Sequence, residues 1–178
     1  MQRSLLLLAA LAGFGATSAG AQAIPFSQHG TVFQRVAVTD ILITYNRPTA
    51  RGRQLFPGVV NWGRIWNPGA DSAPRVMFSK DVKLAGPSIK AGEYSLWVIP
   101  AEVGPWTFIL NKEAHVYHDP YPGEQHDLIR FPVTPTRGEH MEALAYYFPE
   151  VRRDKAVLRL HWGTVVIALV IETGWNAQ

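Results

Sequence analysis

Residues 156–162 read Ala-Val-Leu-Arg-Leu-His-Trp, which sets Ala156, Leu158, Leu160 and Trp162 on one side of an extended chain and Arg159 and His161 on the other. Side chains alternate across a strand, so a run of this kind has one buried and one wet face. The same period recurs along most of the chain. In 93–99, Tyr94, Leu96 and Val98 share one face, and Ser95, Trp97 and Ile99 the other. Trp106, Phe108 and Leu110 share a face after a turn at 100–105. Short β-branched runs at 31–38 and 41–45 are hinged at Thr39-Asp40, and runs at 75–79 and 82–84 flank Lys80-Asp81 in the same manner. Further strands fall at 126–133, 142–148 and 165–171, with Gly163 making the hairpin before the last. That run, apolar on both faces, reads as a central strand. No window sustains a helical period, although one helical turn fits 59–62.

Many short strands at regular spacing, with turn signals between them, specify a sandwich or barrel. The expected fold is all-β: a single-domain antiparallel β-sandwich, jelly-roll-like, with one long ordered loop. Its layout is a signal peptide at 1–23, a flexible N-terminal segment at 24–30, the sandwich at 31–173 and a C-terminal tail at 174–178. Arg3, the apolar run 4–15 and the small residues around Ala19, Ala21 and Ala23 carry the signal-peptide reading. That run is too short for a bilayer span, which needs about 20 residues. The expected location is periplasmic or secreted, with no transmembrane segment left after cleavage.

Composition narrows the chemistry. The 178 residues include no Cys, which excludes disulfides, thiol catalysis, thiolate zinc sites and iron–sulfur clusters. Taking Arg3 from the 17 Lys and Arg leaves 16 against 14 Asp and Glu, too small an excess for a strong field. No Lys/Arg run marks a nucleic-acid tract, and no nucleic-acid partner is expected. No phosphate-cradling loop precedes a helix, no serine sits in a nucleophile elbow, and no cofactor is implied. Oligomeric state is not legible.

Two stretches could carry function. The first is 45–71, YNRPTARGRQLFPGVVNWGRIWNPGAD, too rich in Gly and Pro for regular structure and too aromatic for disorder. Arg47, Arg51 and Arg53 lie within seven residues, with Trp62, Trp66, Asn67 and Asp71 downstream. Guanidinium forks suit carboxylates or phosphates, and aromatic faces suit sugars. Two readings stay open: a ligand pocket made by Arg47, Arg53, Trp66, Asn67 and Asp71, or internal scaffold in which the arginines pair with Asp71, Glu93 or backbone carbonyls. Arg53 is assigned to the pocket, and Arg47, at a strand end, to the scaffold. The second stretch holds His115, His118 and His126 with Asp119 and Asp127. Imidazoles and carboxylates suit zinc, copper or nickel, but the spacing matches no zinc-enzyme signature. A solvated loop with incidental histidines is the simpler reading.

The strings TDILITYNRP, GRQLFPGVVNWGRIWNPGAD, FSKDV, KAGEYSLWVIP and WTFILNK together resemble one bacterial family, the domain of unknown function 2911. The matching residues are Tyr45, Arg47, Pro48, Gly52, Arg53, Gly63, Trp66, Gly69, Ala70, Gly92, Tyr94, Leu96, Ile99, Pro100, Trp106, Asn111 and Lys112. The likeness spans 39–172 and implies an exported, mostly β domain, with no activity attached. Trp62 stands where that family usually has Tyr, Asn67-Pro68 where it has Arg-Thr, and Asp71 where it has Asn. The resemblance implies no role for the histidines. The expected function is a non-catalytic binding module for a small polar or anionic ligand, a glycan or an envelope protein. The alternatives are a metal-assisted hydrolase using 115–127 and a structural envelope protein.

Overall fold

A computed structural model describes residues 27–174. The expected signal peptide at 1–23 and nearly all of the expected tail lie outside the described residues. Ten strands form two antiparallel sheets. They are β1 (Gln28–Val36), β2 (Thr39–Arg47), β3 (Arg75–Phe78), β4 (Val82–Leu84), β5 (Ser88–Ile89), β6 (Gly92–Ile99), β7 (Trp106–Asn111), β8 (Asp127–Val133), β9 (Thr136–Val151) and β10 (Lys155–Thr173). One sheet runs β1-β2-β3-β6-β7-β8 and the other β5-β4-β10-β9. The chain thus meanders through the larger sheet, with one excursion in which β4 and β5 cross to the smaller.

The sandwich read from the alternating runs is the fold observed, and the alternation explains it. Ile41, Ile43, Leu96, Val98, Phe108 and Leu110 face inward from the large sheet. They meet Leu84, Leu144, Leu158, Leu160, Ile167 and Leu169 from the small one. A smaller cluster lies on the outer face of the large sheet. There Trp97 and Ile109 are covered by Ala73, Ile65, Val116 and Tyr121 from two irregular segments.

Several local expectations need correction. The first hairpin turns at Ala37-Val38, with Ala37 at φ 51°, and not at Thr39-Asp40. Asp40 is used instead as the cross-strand ion partner of Arg35, at 2.5 Å. Strand β1 starts at Gln28, so residues 28–30 pair with β2 and do not belong to a flexible lead-in. Strands β3 and β4 flank Lys80-Asp81 but lie in different sheets. The helical turn expected at 59–62 is replaced by a wide turn at Leu55–Val59, closed by amides of Val59 and Val60 onto carbonyls of Gln54 and Leu55, with non-helical φ/ψ inside.

The largest correction concerns Gly163. It makes no hairpin; it is a bulge within the single long strand β10, at φ +56° and flanked by register shifts against β9. A bulge inserts an unpaired residue and resets which face the following side chains take. Leu158, Leu160 and Trp162 point into the core before it, and Ile167, Leu169 and Ile171 after it. The even-to-odd change in the sequence marks this reset. Strand β10 is central in its sheet as expected, but Val170 is 40% exposed, so 165–171 is not apolar-buried on both faces.

Candidate functional site

The irregular segment 48–74 leaves β2 and is seated on both sheets. The amide of Ala50 donates to Glu142 O and that of Leu144 to Pro48 O, which fixes the start of the segment on β9. Further on, Trp66 exchanges two 2.8 Å backbone bonds with Val98 of β6. Phe56 sits among four tryptophans, with centroids 5.1 Å from Trp106, 5.8 Å from Trp62 and Trp66, and 6.4 Å from Trp162. Trp66 stacks on Trp162 at 6.0 Å. Ring pairs at these spacings add to area burial and help to hold the segment in place. Tyr146, fully buried, donates its hydroxyl to Pro68 O at 3.0 Å, and its own amide donates to the Tyr45 hydroxyl at 3.1 Å. Burial, then the neighbouring Tyr45, pushes the Tyr146 hydroxyl well above the ordinary tyrosine range.

Between this segment and β10 lies a cavity of about 420 Å³. Arg53, Trp66, Asn67 and Asp71 are among its walls, with His118 and Trp162. Four of the five residues read as a pocket from sequence are thus brought together. Arg47 is not among the walls; its Nε donates to Leu144 O at 3.0 Å, a scaffold role that ties β2 to β9. Arg53, exposed, also donates to backbone, from Nε to Ala50 O and from Nη2 to Thr49 O, at 3.0 and 2.7 Å. Two of its five N–H groups are used in this way, and Arg53 is also a wall of the cavity.

The polar walls are positioned by a chain of bonds. His29 Nδ1 is 3.0 Å from Asn46 Oδ1, and Asn46 Nδ2 donates to Asp71 Oδ2 at 3.0 Å. The Asp71 carbonyl accepts from both the amide and Nδ1 of His118, each at 2.8 Å. A carbonyl can only accept, so Nδ1 carries the proton and Nε2 keeps its lone pair in the neutral ring. Asp71 itself holds φ +60°, a left-handed geometry that Asp tolerates better than most residues.

Two atoms here have no partner. Among the described residues, the buried side-chain atoms without a hydrogen bond are Asn67 Oδ1 and Trp162 Nε1. Both residues line this cavity; Asn67 is 6% exposed and Trp162 2%. Asn67 Nδ2 is engaged, donating to His118 O at 3.2 Å. One orphan is an acceptor and the other a donor. A second cavity of about 420 Å³ lies by β4 and the end of β10, walled by exposed charges such as Lys90 and Asp81, which pair at 2.8 Å. No orphaned atom belongs to its walls.

The three histidines read as a possible metal set are not brought together. His115 Nε2 meets Glu93 at 2.6 Å while its Nδ1 faces Arg75, His126 pairs with Glu113 at 3.1 Å, and His118 is bound to Asp71 O. No group of three His, Asp or Glu among the described residues is arranged to hold an ion. The segment 112–126 is instead pinned by Asp127, whose side chain is 8% exposed. Asp127 accepts from Asn111, Tyr121 and Arg130. Burial first, then the bond to Asp127, raises the Tyr121 hydroxyl. The bonds to Asp127 and Tyr121 raise the Arg130 guanidinium despite its desolvation.

Sequence reasoning missed Trp162 and Tyr146 as parts of the site because each sits on an alternating strand, where an inward aromatic reads as core. His118 was grouped with the wrong partners. It lies 47 residues from Asp71 in the chain, and nothing in the spacing joins them.

The family model described as "Protein of unknown function (DUF2911)" matches residues 27–171, and the chain belongs to that family. No curated protein and no solved structure matches the chain. No helix among the described residues is long and apolar enough to cross a membrane.

Proposed function

We propose that this DUF2911 member is an exported binding module, without chemistry of its own, that takes a small hydroxyl-bearing ligand in the cavity of Arg53, Trp66, Asn67, Asp71, His118 and Trp162. One observation carries the reading: Asn67 and Trp162, whose buried acceptor Oδ1 and donor Nε1 are orphaned, are both walls of the same cavity. Leaving such a buried group unmade costs about 1–3 kcal/mol, so a group that pairs with both has a ready reward. A hydroxyl both donates and accepts. Trp66 supplies an aromatic wall against which a sugar ring packs, and the remaining Arg53 donors suit an acidic substituent. The volume falls within the roughly 300–1,000 Å³ of small-molecule sites.

The hydrolase alternative needs His115, His118 and His126 on one ion, and each has a different partner. Export rests on the signal-like segment 1–23. Mass spectrometry of the protein from a bacterial host should find an N-terminus near Ala21 or Ala23, and an intact Met1 on soluble cytoplasmic protein would refute it.

The binding test is a thermal-shift and calorimetric screen of saccharides, hydroxy acids and phosphates on wild type and Asn67→Leu. A ligand at 100 times its Kd stabilises wild type by about 2.7 kcal/mol, and Asn67→Leu loses that response. Absence of any stabilising compound, or an equal response from the variant, rejects the site.

A further inference from the structure

A further cavity, of about 340 Å³, shares Arg53 and Trp162 with the candidate site. Its other walls include Leu55, Phe56, Trp62 and Val165, with Thr164 at the rim of the β10 bulge. The two compartments differ in chemistry. The first holds Asn67, Asp71 and His118; the second is largely aromatic and aliphatic. Phe56 and Trp62 lie nearly parallel, 19° apart with centroids at 5.8 Å, so the second compartment carries flat apolar walls. Arg53 lines both, and a planar guanidinium can stack on a ring while its edge donates to polar groups.

We infer that the ligand is bipartite: a hydroxylated ring in the first compartment, joined to a flat apolar group in the second. The chemical class is a glycoside with an aromatic or similarly planar aglycone. This inference rests on the proposed function, because the orphaned atoms that call for hydroxyls also place the polar half. It adds the apolar half, which those atoms do not require. Trp162 lines both compartments, and its ring stacks on Trp66, a wall of the polar one.

The test is isothermal titration of full-length mature protein with matched pairs of methyl and phenyl β-glycosides of glucose, galactose, mannose and N-acetylglucosamine. For the sugar that binds, the phenyl glycoside is tighter than the methyl by about tenfold to a hundredfold, the scale of burying one aromatic ring. Thr164→Trp, which fills the second compartment, abolishes that preference and leaves the methyl glycoside unchanged. Trp62→Ala, which removes a wall, reduces the preference and supplies the same comparison if Thr164→Trp does not fold. Equal affinity of methyl and phenyl forms for wild type overturns the bipartite ligand and leaves the polar site standing. A phenyl preference that survives both variants also overturns it. Failure of every glycoside to bind removes this inference, and if hydroxy acids and phosphates fail too, the proposed function goes with it.

Discussion

Two irregular segments, 48–74 and 112–126, lie against each other and differ in how their polar atoms are held. They touch through Ala73 N to Val116 O, His118 N to Asp71 O and Asn67 Nδ2 to His118 O. The later segment is a closed polar network, with Asn111, Tyr121 and Arg130 converging on Asp127. The earlier one is fastened mainly by aromatic packing around Phe56. It leaves an acceptor unmade at Asn67 and meets a donor unmade at Trp162. Buried polar groups are nearly always paired. A segment whose buried polar atoms are paired is scaffold, whereas one that leaves an acceptor unpaired and meets an unpaired donor of β10 beside a cavity is shaped for something that supplies both. The three histidines, read in sequence most simply as incidental to a solvated loop, belong to the scaffold side of this contrast, apart from His118.

Substitutions can break or sharpen that difference. The largest effect is expected at Phe56→Ala, which empties the centre of four tryptophans and destabilises by about 3–5 kcal/mol in urea unfolding. An effect near zero would mean the aromatic cluster does not hold the segment. Asp127→Ala strands three donors of the other segment and costs about 1–3 kcal/mol, with ligand binding retained because Asp127 is not a wall of the cavity. Loss of binding there would show the two segments to be one unit.

Tyr146→Phe removes the bond to Pro68 and costs about 1 kcal/mol at neutral pH. Its pH dependence is more telling. Burial raises the folded-state value of Tyr146, so the folded form holds its proton where the unfolded form, titrating at about pH 10, loses it. The stability contributed is full below that pH and falls as pH rises towards the folded value. Absorbance at 295 nm should therefore report Tyr146 ionising only with unfolding, and Tyr146→Phe should move the alkaline midpoint upward. A phenolate signal ahead of unfolding that vanishes in the variant would contradict its burial. The smallest effect is expected at Arg53→Gln, within about 0.5 kcal/mol, because the carbonyl of buried Ala50 still accepts from the Arg53 amide at 3.0 Å and Thr49 is only half-buried. A cost equal to that of a core truncation would make Arg53 scaffold, like Arg47.

The sandwich was legible because inward residues such as Leu96, Val98, Phe108 and Leu110 keep strict period two. The first turn was not, since Ala37-Val38 carries none of the usual turn chemistry while Thr39-Asp40 does. Gly163 read as a hairpin because a parity change beside a glycine has the same appearance for a bulge within one strand. In the site, Arg53, Trp66, Asn67 and Asp71 were legible as polar and aromatic residues concentrated in one irregular stretch. Trp162 and His118 were not, because their membership depends on packing between segments far apart in the chain.

The distances along the chain between fastening points differ as much as their chemistry. Segment 112–126 closes locally through partners 6 and 16 residues apart, Tyr121–Asp127 and Asn111–Asp127, and reaches Asp71 and Asn67 of the other segment at 47 and 51 residues. Segment 48–74 is fastened by Pro68 to Tyr146, and the β2 end that leads into it by Arg47 to Leu144 and Tyr45 to Tyr146, at separations of 78, 97 and 101 residues. Distant closures cost more chain entropy and come later in folding. Synthesis runs from the N-terminus, so Phe56, Trp62 and Trp66 emerge long before β9 and β10 exist to cover them. Pulse-labelled hydrogen exchange should find the amide of Val60 protected no earlier than those of β9; earlier protection would refute this order. A nascent chain that stops short of Trp162 can pair most of the larger sheet, but Phe56 and Trp66 lack the ring of Trp162 and the cavity does not yet exist.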